Sequence, residues 1–224
     1  FRQEAALTSR IGHPNIARVL DAGTLPSGTA YLVLEHLAGE SLAARLDRGP
    51  LPLADVFTIV RQIGSALHVA HRMGVIHRDL KPDNIFLCAP DGHGATPHVV
   101  KVLDFGVSKL HGWQPEQTAY LSPEQAIGTN QAIGPRTDVF ALGAIVYEML
   151  SAQPAFAAGE STDVAFKIVN DAHPALGPRA PSTPKTVVAA VERALAKDPD
   201  KRFATMASFI EALTGQPFEV LDRN

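Results

Sequence analysis

Cysteine is almost absent: Cys88 stands alone among 224 residues, which excludes an internal disulfide and fits a reducing compartment. Its place in an apolar run reads as an inert buried thiol. No apolar stretch approaches the roughly 18 residues that a membrane span needs, so the reading places no membrane segment in the chain. An excess of either charge is missing too. The 20 basic and 23 acidic residues leave a net charge of −3 and a pI of about 6.3, which implies no general attraction to nucleic acid or to a membrane surface. The sequence shows no signal peptide, no initiating Met, no internal repeat and no low-complexity segment. It begins at Phe1 in mid-pattern, and the expectation is a piece of a longer protein. What is present, 46% hydrophobic and 19% charged residues, suits one large globular domain with a sizeable core.

The most informative stretch runs from Gly74 to Leu87. A long helical pattern leads into it, with Leu53, Val56, Phe57, Val60, Ile63, Leu67 and Ala70 recurring on one face. A short β-type run, Ile85 to Cys88, leads out. The polar loop between them carries a carboxylate (Asp79), an ammonium (Lys81) and a carboxamide (Asn84). Loops held between rigid elements are where reactive groups are presented. This set suits moving a phosphoryl group: a base for a hydroxyl, a cation for a phosphate, an oxygen ligand for a hard metal ion. After a second apolar run, Val99 to Leu103, comes Asp104-Phe105-Gly106, a carboxylate at a strand end that could be a second ligand for Mg2+.

His77-Arg78-Asp79-Leu80 with Asn84, then Asp104-Phe105-Gly106, then Ser122-Pro123-Glu124, resembles in order and spacing the signature set of protein kinases, in the form of the bacterial, eukaryotic-like serine/threonine kinases. The resemblance implies an α+β kinase-like fold with a mostly helical C-terminal lobe and a partial N-terminal β lobe. Its boundaries would be residues 1–34 for the partial lobe, 35–40 for the hinge, 41–215 for the helical lobe and 216–224 for a tail. It also implies ATP and Mg2+ as cofactors and a protein substrate with a Ser or Thr hydroxyl, without nucleic acid. Self-association for autophosphorylation and a cytoplasmic location are further expectations.

Residue by residue, the resemblance assigns Asp79 to the substrate hydroxyl, Lys81 to the γ-phosphate, and Asn84 and Asp104 to Mg2+. Lys81, two residues after Asp79, looks like the Ser/Thr-specific form. The main chain at Glu35 and Leu37 would meet adenine, with Phe86 packing under it. Glu4 falls where the family has the glutamate that pairs with an ATP-binding lysine. His77 and Phe105 look like packing positions, and Gly106 completes the Asp104 motif. Arg78 suits gripping a phosphate on the 106–122 loop, where Thr118 is the expected phosphosite. Asp138 would accept bonds from the backbone of the Asp79 loop, and Arg202 would pair with Glu124.

Two departures bear on activity. No Gly-rich phosphate loop and no strand lysine precede residue 4, and Glu116-Gln117 stand where bacterial kinases usually have Gly-Thr. They keep a scaffolding pseudokinase, or an inactive fragment, as the alternative. A small-molecule kinase of the aminoglycoside-phosphotransferase type shares the metal chemistry but would not carry Ser122-Pro123-Glu124 with Asp138 and Arg202.

The remaining expected elements are a helix over 1–11 ended by Gly12-His13-Pro14-Asn15, and a hairpin of Ile16–Leu20 with Ala30–Leu34. A short helix capped by Ser41 follows, then a turn over 90–97. Further helices are expected at 138–150, 159–170 and 184–197, with a loop-like end beyond Leu213. His68 and His71 read as structural or surface residues. An apolar edge on the remnant strands predicts poor solubility of this chain alone.

Overall fold

Two helices form the centre. The structure, a computed structural model, describes residues 11–88, 99–105, 119–128, 132–156 and 161–221, without the side chains of 161–163. Helix α1 (Leu42–Leu46) opens on Ser41, whose Oγ accepts from the Ala44 N–H at 3.1 Å. Helix α2 (Leu53–Arg72) buries Val56, Ile59, Val60, Ile63, Leu67 and Ala70 on the face that the 3.6-residue period predicts. Asp55 in its first turn and His71 and Arg72 in its last suit the helix dipole.

Helix α3 (Pro123–Ile127) is short. Helix α4 (Pro135–Ser151) is buried nearly all round. It starts a turn earlier than the apolar run suggests, because Pro135 is tolerated at the first helical position and Gly134 donates its N–H to Thr137 Oγ1. Helices α6 (Leu176–Arg179), α7 (Lys185–Ala194) and α8 (Met206–Thr214) pack around the α2–α4 pair, and α5 (Ser161–Asn170) packs against α3. A Cβ on Gly64 would lie 2.6 Å from Ile210, and one on Gly143 would lie 2.8 Å from Ala194 Cβ. Glycine thus sets the close approach of α2 to α8 and of α4 to α7. The expectations had no helix over 206–214, yet Met206, Phe209, Ile210 and Leu213 are buried there at helical spacing.

The strands form two small antiparallel sheets. Strand β1 (Val19–Thr24) pairs with β2 (Ala30–Leu34). Strands β3 (Gly39–Ser41), β4 (Ile85–Cys88) and β5 (Val99–Val102) pair in the order β3-β4-β5. The first hairpin strand starts later than expected because Ile16 and Ala17 are engaged elsewhere. Ala17 N–H donates to Val102 O, Val102 N–H donates to Asn15 O, and Ile16 is buried against β5. Residues 35–38 connect β2 to β3.

A buried polar knot fixes the 13–15 turn to α2. Asn15 Nδ2 donates to Gln62 Oε1 and Val100 O, and Ser65 Oγ meets His13 Nε2 at 2.8 Å. The end of the chain lies along the same helix. Leu221 N–H donates to Ser65 Oγ, Arg61 reaches Gln216 and Pro217, and Phe218 packs on His68. The expected helix over 1–11, apart from Ile11, and the expected turn over 90–97 lie outside the described residues.

Candidate active site

The loop from Val75 to Asn84 joins the end of α2 to β4, and it is held from below by one carboxylate. Asp138, wholly buried in the first turn of α4, accepts from the His77 N–H at 2.9 Å, the Arg78 N–H at 3.0 Å and His71 Nε2 at 2.7 Å. Burial pushes this carboxyl up, but the His71 hydrogen bond, the nearby imidazoles and the His77 amide outweigh it and hold the group below the usual aspartate range. A buried ionised carboxylate survives only with its lone pairs filled in this way.

His77 is a second clamp. Its Nε2–H donates to Leu103 O at 2.9 Å while Nδ1 accepts from the Asp79 N–H at 3.3 Å, which fixes the tautomer with the proton on Nε2. Its ring packs 4.6 Å from the ring of Phe105. Leu103 N–H in turn donates to Asn84 O at 2.8 Å. The 75–84 loop and the 103–105 segment are therefore one hydrogen-bonded unit.

Three polar side chains converge on this frame. Asn84 Nδ2 donates to Asp79 O at 2.8 Å and to Asp79 Oδ2 at 3.1 Å, and Lys81 Nζ lies 3.3 Å from the same Oδ2. Lys81 is only 8% exposed, whereas a quarter of the Asp79 side chain is open to solvent. The frame is strained at two points. Arg78 has φ 68° and Asp104 has φ 55°, left-handed conformations that cost a non-glycine residue about 1–3 kcal/mol each. Such residues persist where their surroundings over-determine them. At Arg78 the N–H is held by Asp138 and the carbonyl accepts from Gln125 Nε2 at 2.6 Å.

The donor set fits a hard cation. The Asn84 amide nitrogen is turned to Asp79, which leaves its oxygen as the face for a metal, and the exposed Asp104 follows the Leu103 that is bonded to Asn84. Among the described residues no group of three or more His, Cys, Asp or Glu is placed to hold a metal. An ion here would complete its shell with phosphate oxygens and water, as Mg2+ does at phosphate sites.

Next to the loop, Phe86 on β4 stands opposite Ser41 and Lys101 in the sheet register. Glu35 Oε1 accepts from Lys101 Nζ at 2.7 Å and from the Arg18 N–H at 2.9 Å. Burial raises the Glu35 pKa, but the Lys101 hydrogen bond and then the Arg18 amide bring it below the ordinary value. Leu37, half-buried, lies in the connection to β3.

Farther out, α3 is locked to the helical floor. Arg202, 1% exposed, forms a two-pronged pair with Glu124, 4% exposed, both bonds 2.9 Å long. Its other N–H groups donate to the carbonyls of Ala196, Arg136 and Lys197, and its guanidinium lies 4.8 Å from the Phe140 ring. Thr137 Oγ1 also donates to Glu124.

The structure thus brings Asp79, Lys81, Asn84, His77 and Phe105 together, sets Arg78 between Asp138 and Gln125, and joins Glu124 to Arg202. Glu4, Gly106 and Thr118, like Glu116 and Gln117, lie outside the described residues. Sequence reasoning did not single out His71, Lys101 or Gln125 for the site. Their partners are 67, 66 and 47 positions away, and local patterns carry no signal of that.

Comparison with known proteins agrees with this geometry. The family description "Protein kinase domain" matches residues 1–216. Pkn1 of Myxococcus xanthus, a serine/threonine-protein kinase, is 37% identical over 95% of this chain and 31% of its own length. The serine/threonine-protein kinase PknA of Mycobacterium tuberculosis is 37% identical over 95% of this chain and 50% of its own. For the serine/threonine-protein kinase PknB of Mycobacterium leprae the figures are 34%, 98% and 36%. The chain therefore spans about a third to a half of the length of these relatives. With the family match covering nearly the whole sequence, the chain belongs to the protein kinase domain family.

Proposed function

We propose that this protein transfers the γ-phosphate of ATP to a serine or threonine hydroxyl of a protein substrate. The observation that carries the reading is the cluster of Asp79, Lys81 and Asn84 on a loop whose backbone is pinned by buried Asp138. Phosphoryl transfer needs positioning and charge neutralisation more than covalent chemistry. Asp79, one oxygen tied to Asn84 and Lys81, orients the attacking hydroxyl and accepts its proton. Lys81 meets the negative charge of the γ-phosphate. Asn84 and Asp104 supply the protein oxygens for Mg2+, which neutralises the phosphates when bound.

Main-chain groups at Glu35 and Leu37 meet the adenine edge, and Phe86 packs beneath it. The Lys101–Glu35 pair stiffens this connection. Glu4 would hold the place of the glutamate that pairs with an ATP-anchoring lysine in the family, Gly106 would complete the Asp104 motif, and Arg78 would grip a phosphate placed on Thr118. The names of the relatives support serine or threonine as acceptor. Residues 1–34, 35–40, 41–215 and 216–224 serve as small lobe, hinge, helical lobe and tail in this reading. Self-association for autophosphorylation and a cytoplasmic site of action belong to the same proposal. No helix among the described residues is long and apolar enough to cross a membrane.

The test uses the protein at full natural length, labelled ATP and a generic basic acceptor protein, followed by acid hydrolysis of the product. The expected result is label on phosphoserine and phosphothreonine that disappears when divalent metal is chelated. Label on tyrosine alone, or none on a protein that binds Mg2+–ATP, would contradict the proposal.

A further inference from the structure

Gln125 makes two kinds of contact at once. Within α3 its Oε1 accepts from the Ser122 N–H at 3.1 Å and from Ser122 Oγ at 3.2 Å, the position-three half of a helix capping box. Its Nε2 reaches out of the helix and donates to Arg78 O at 2.6 Å. Arg78 is the left-handed residue immediately before Asp79. The Arg78–Asp79 peptide sets the direction in which Asp79 leaves the backbone, and its amide side already bonds to His77 Nδ1. Gln125 thus closes the other polar end of that peptide, its carbonyl. It does so from a helix that the neighbouring Glu124 fastens to Arg202.

We infer that Gln125 is a positioning residue for phosphoryl transfer, holding the Arg78 peptide so that Asp79 faces the substrate hydroxyl. This rests on the kinase reading above. A strained residue keeps its conformation while its N–H and C=O are both held. Release of the carbonyl frees the peptide to rotate, and small misplacement of a reacting group is costly. The tie also connects the aim of Asp79 to the far end of the 106–122 segment.

Two substitutions separate the two contacts. In Gln125→Glu the carboxylate still accepts from Ser122, and glutamate suits this capping position, but it has no proton to donate to Arg78 O. In Gln125→Lys the ammonium can donate to Arg78 O but cannot accept from Ser122. Steady-state kinetics, thermal melting and amide hydrogen exchange are measured on both variants and on the unaltered full-length protein. Gln125→Glu should lower kcat about tenfold or more, the effect of losing one good hydrogen bond in the reacting arrangement. Its KM for ATP should stay within about twofold, its melting temperature should hold, and exchange should speed up across residues 76–81 but not 123–127. Gln125→Lys should keep kcat within about threefold while melting earlier. Activity that follows melting temperature instead, lost in the lysine variant and kept in the glutamate one, would reduce Gln125 to a helix cap and overturn the inference. An unaltered protein without kinase activity would sink the functional proposal and the phosphoryl-transfer half of this inference, leaving the hold of Gln125 on the Arg78 peptide to be decided separately. The exchange pattern would still decide the role of Gln125, and equal protection of 76–81 in the glutamate variant and the unaltered protein would overturn it.

Discussion

The two small sheets are built alike and serve differently. Both are antiparallel and rich in aliphatic residues. In the β3-β4-β5 sheet Ile85, Leu87, Val100 and Val102 are buried, and the loop that enters β4 is bonded to α4, to the 103–105 segment and to α3. In the β1-β2 hairpin Leu20 is 53% exposed and Val33 is 43% exposed, and the tie to the rest is made at its base through Glu35, Lys101 and Arg18. The difference teaches where this domain stores its precision. The loop that carries Asp79 is over-determined by buried hydrogen bonds, as a loop that aims a chemical group must be, whereas the hairpin leaves large aliphatic side chains open to solvent.

The sharpest way to break the contrast is at Arg202. Replacing it with Met strands the Glu124 carboxylate in the interior and should cost about 3–5 kcal/mol in denaturant unfolding. A loss below about 1 kcal/mol would mean that the floor under α3 is not held by this pair. Asp138→Asn comes next, since it leaves one of three donors unpaired, for about 1–3 kcal/mol. It should also remove part of the acid sensitivity. The folded Asp138 carboxyl titrates below its ordinary value, so its contribution is complete above the usual carboxylate range and is lost as pH falls through the folded value. Unfolding curves taken from neutral pH down into the acid range should therefore be shallower in pH for the Asp138→Asn protein, and identical slopes would contradict the assignment.

A smaller effect is expected at Lys197, whose Nζ donates to Lys167 O and Ile168 O beside the Phe156 ring. Burial pushes this ammonium down to about 8 from 10.5. The folded state then sheds its proton first, so stability should rise between about pH 8 and 10.5, and Lys197→Met should flatten that rise. The smallest effect belongs to the open hairpin, where Val33→Thr should change stability by no more than about 0.5 kcal/mol. A larger loss would show that the hairpin is fastened as firmly as the other sheet.

Much of this was legible in the sequence because it is local. Ser41 before an apolar run, the spacing from Leu53 to Ala70, and Ile85 to Cys88 after a polar loop are patterns written within one element. The order of Asp79, Asn84, Asp104 and Glu124 was legible as a resemblance. The start of α4 was misplaced because apolar periodicity does not register a proline at the first helical position. The strand boundary at Val19 was misplaced because Ile16 and Ala17 are claimed by β5, a partner far along the chain. His71 under Asp138, Lys101 on Glu35 and Gln125 on Arg78 were out of reach for the same reason. Each is an ordinary polar residue until the fold supplies its partner.

The most direct test of the central claim, that the pinned loop aims Asp79 at a hydroxyl, is kcat of the full-length protein beside its Asp79→Asn variant. The account predicts a fall of about 10²–10⁴-fold, the usual effect of losing a positioned general base, with melting temperature and Mg2+–ATP binding unchanged. An Asp79→Asn protein that phosphorylates its substrate at the original rate would contradict it.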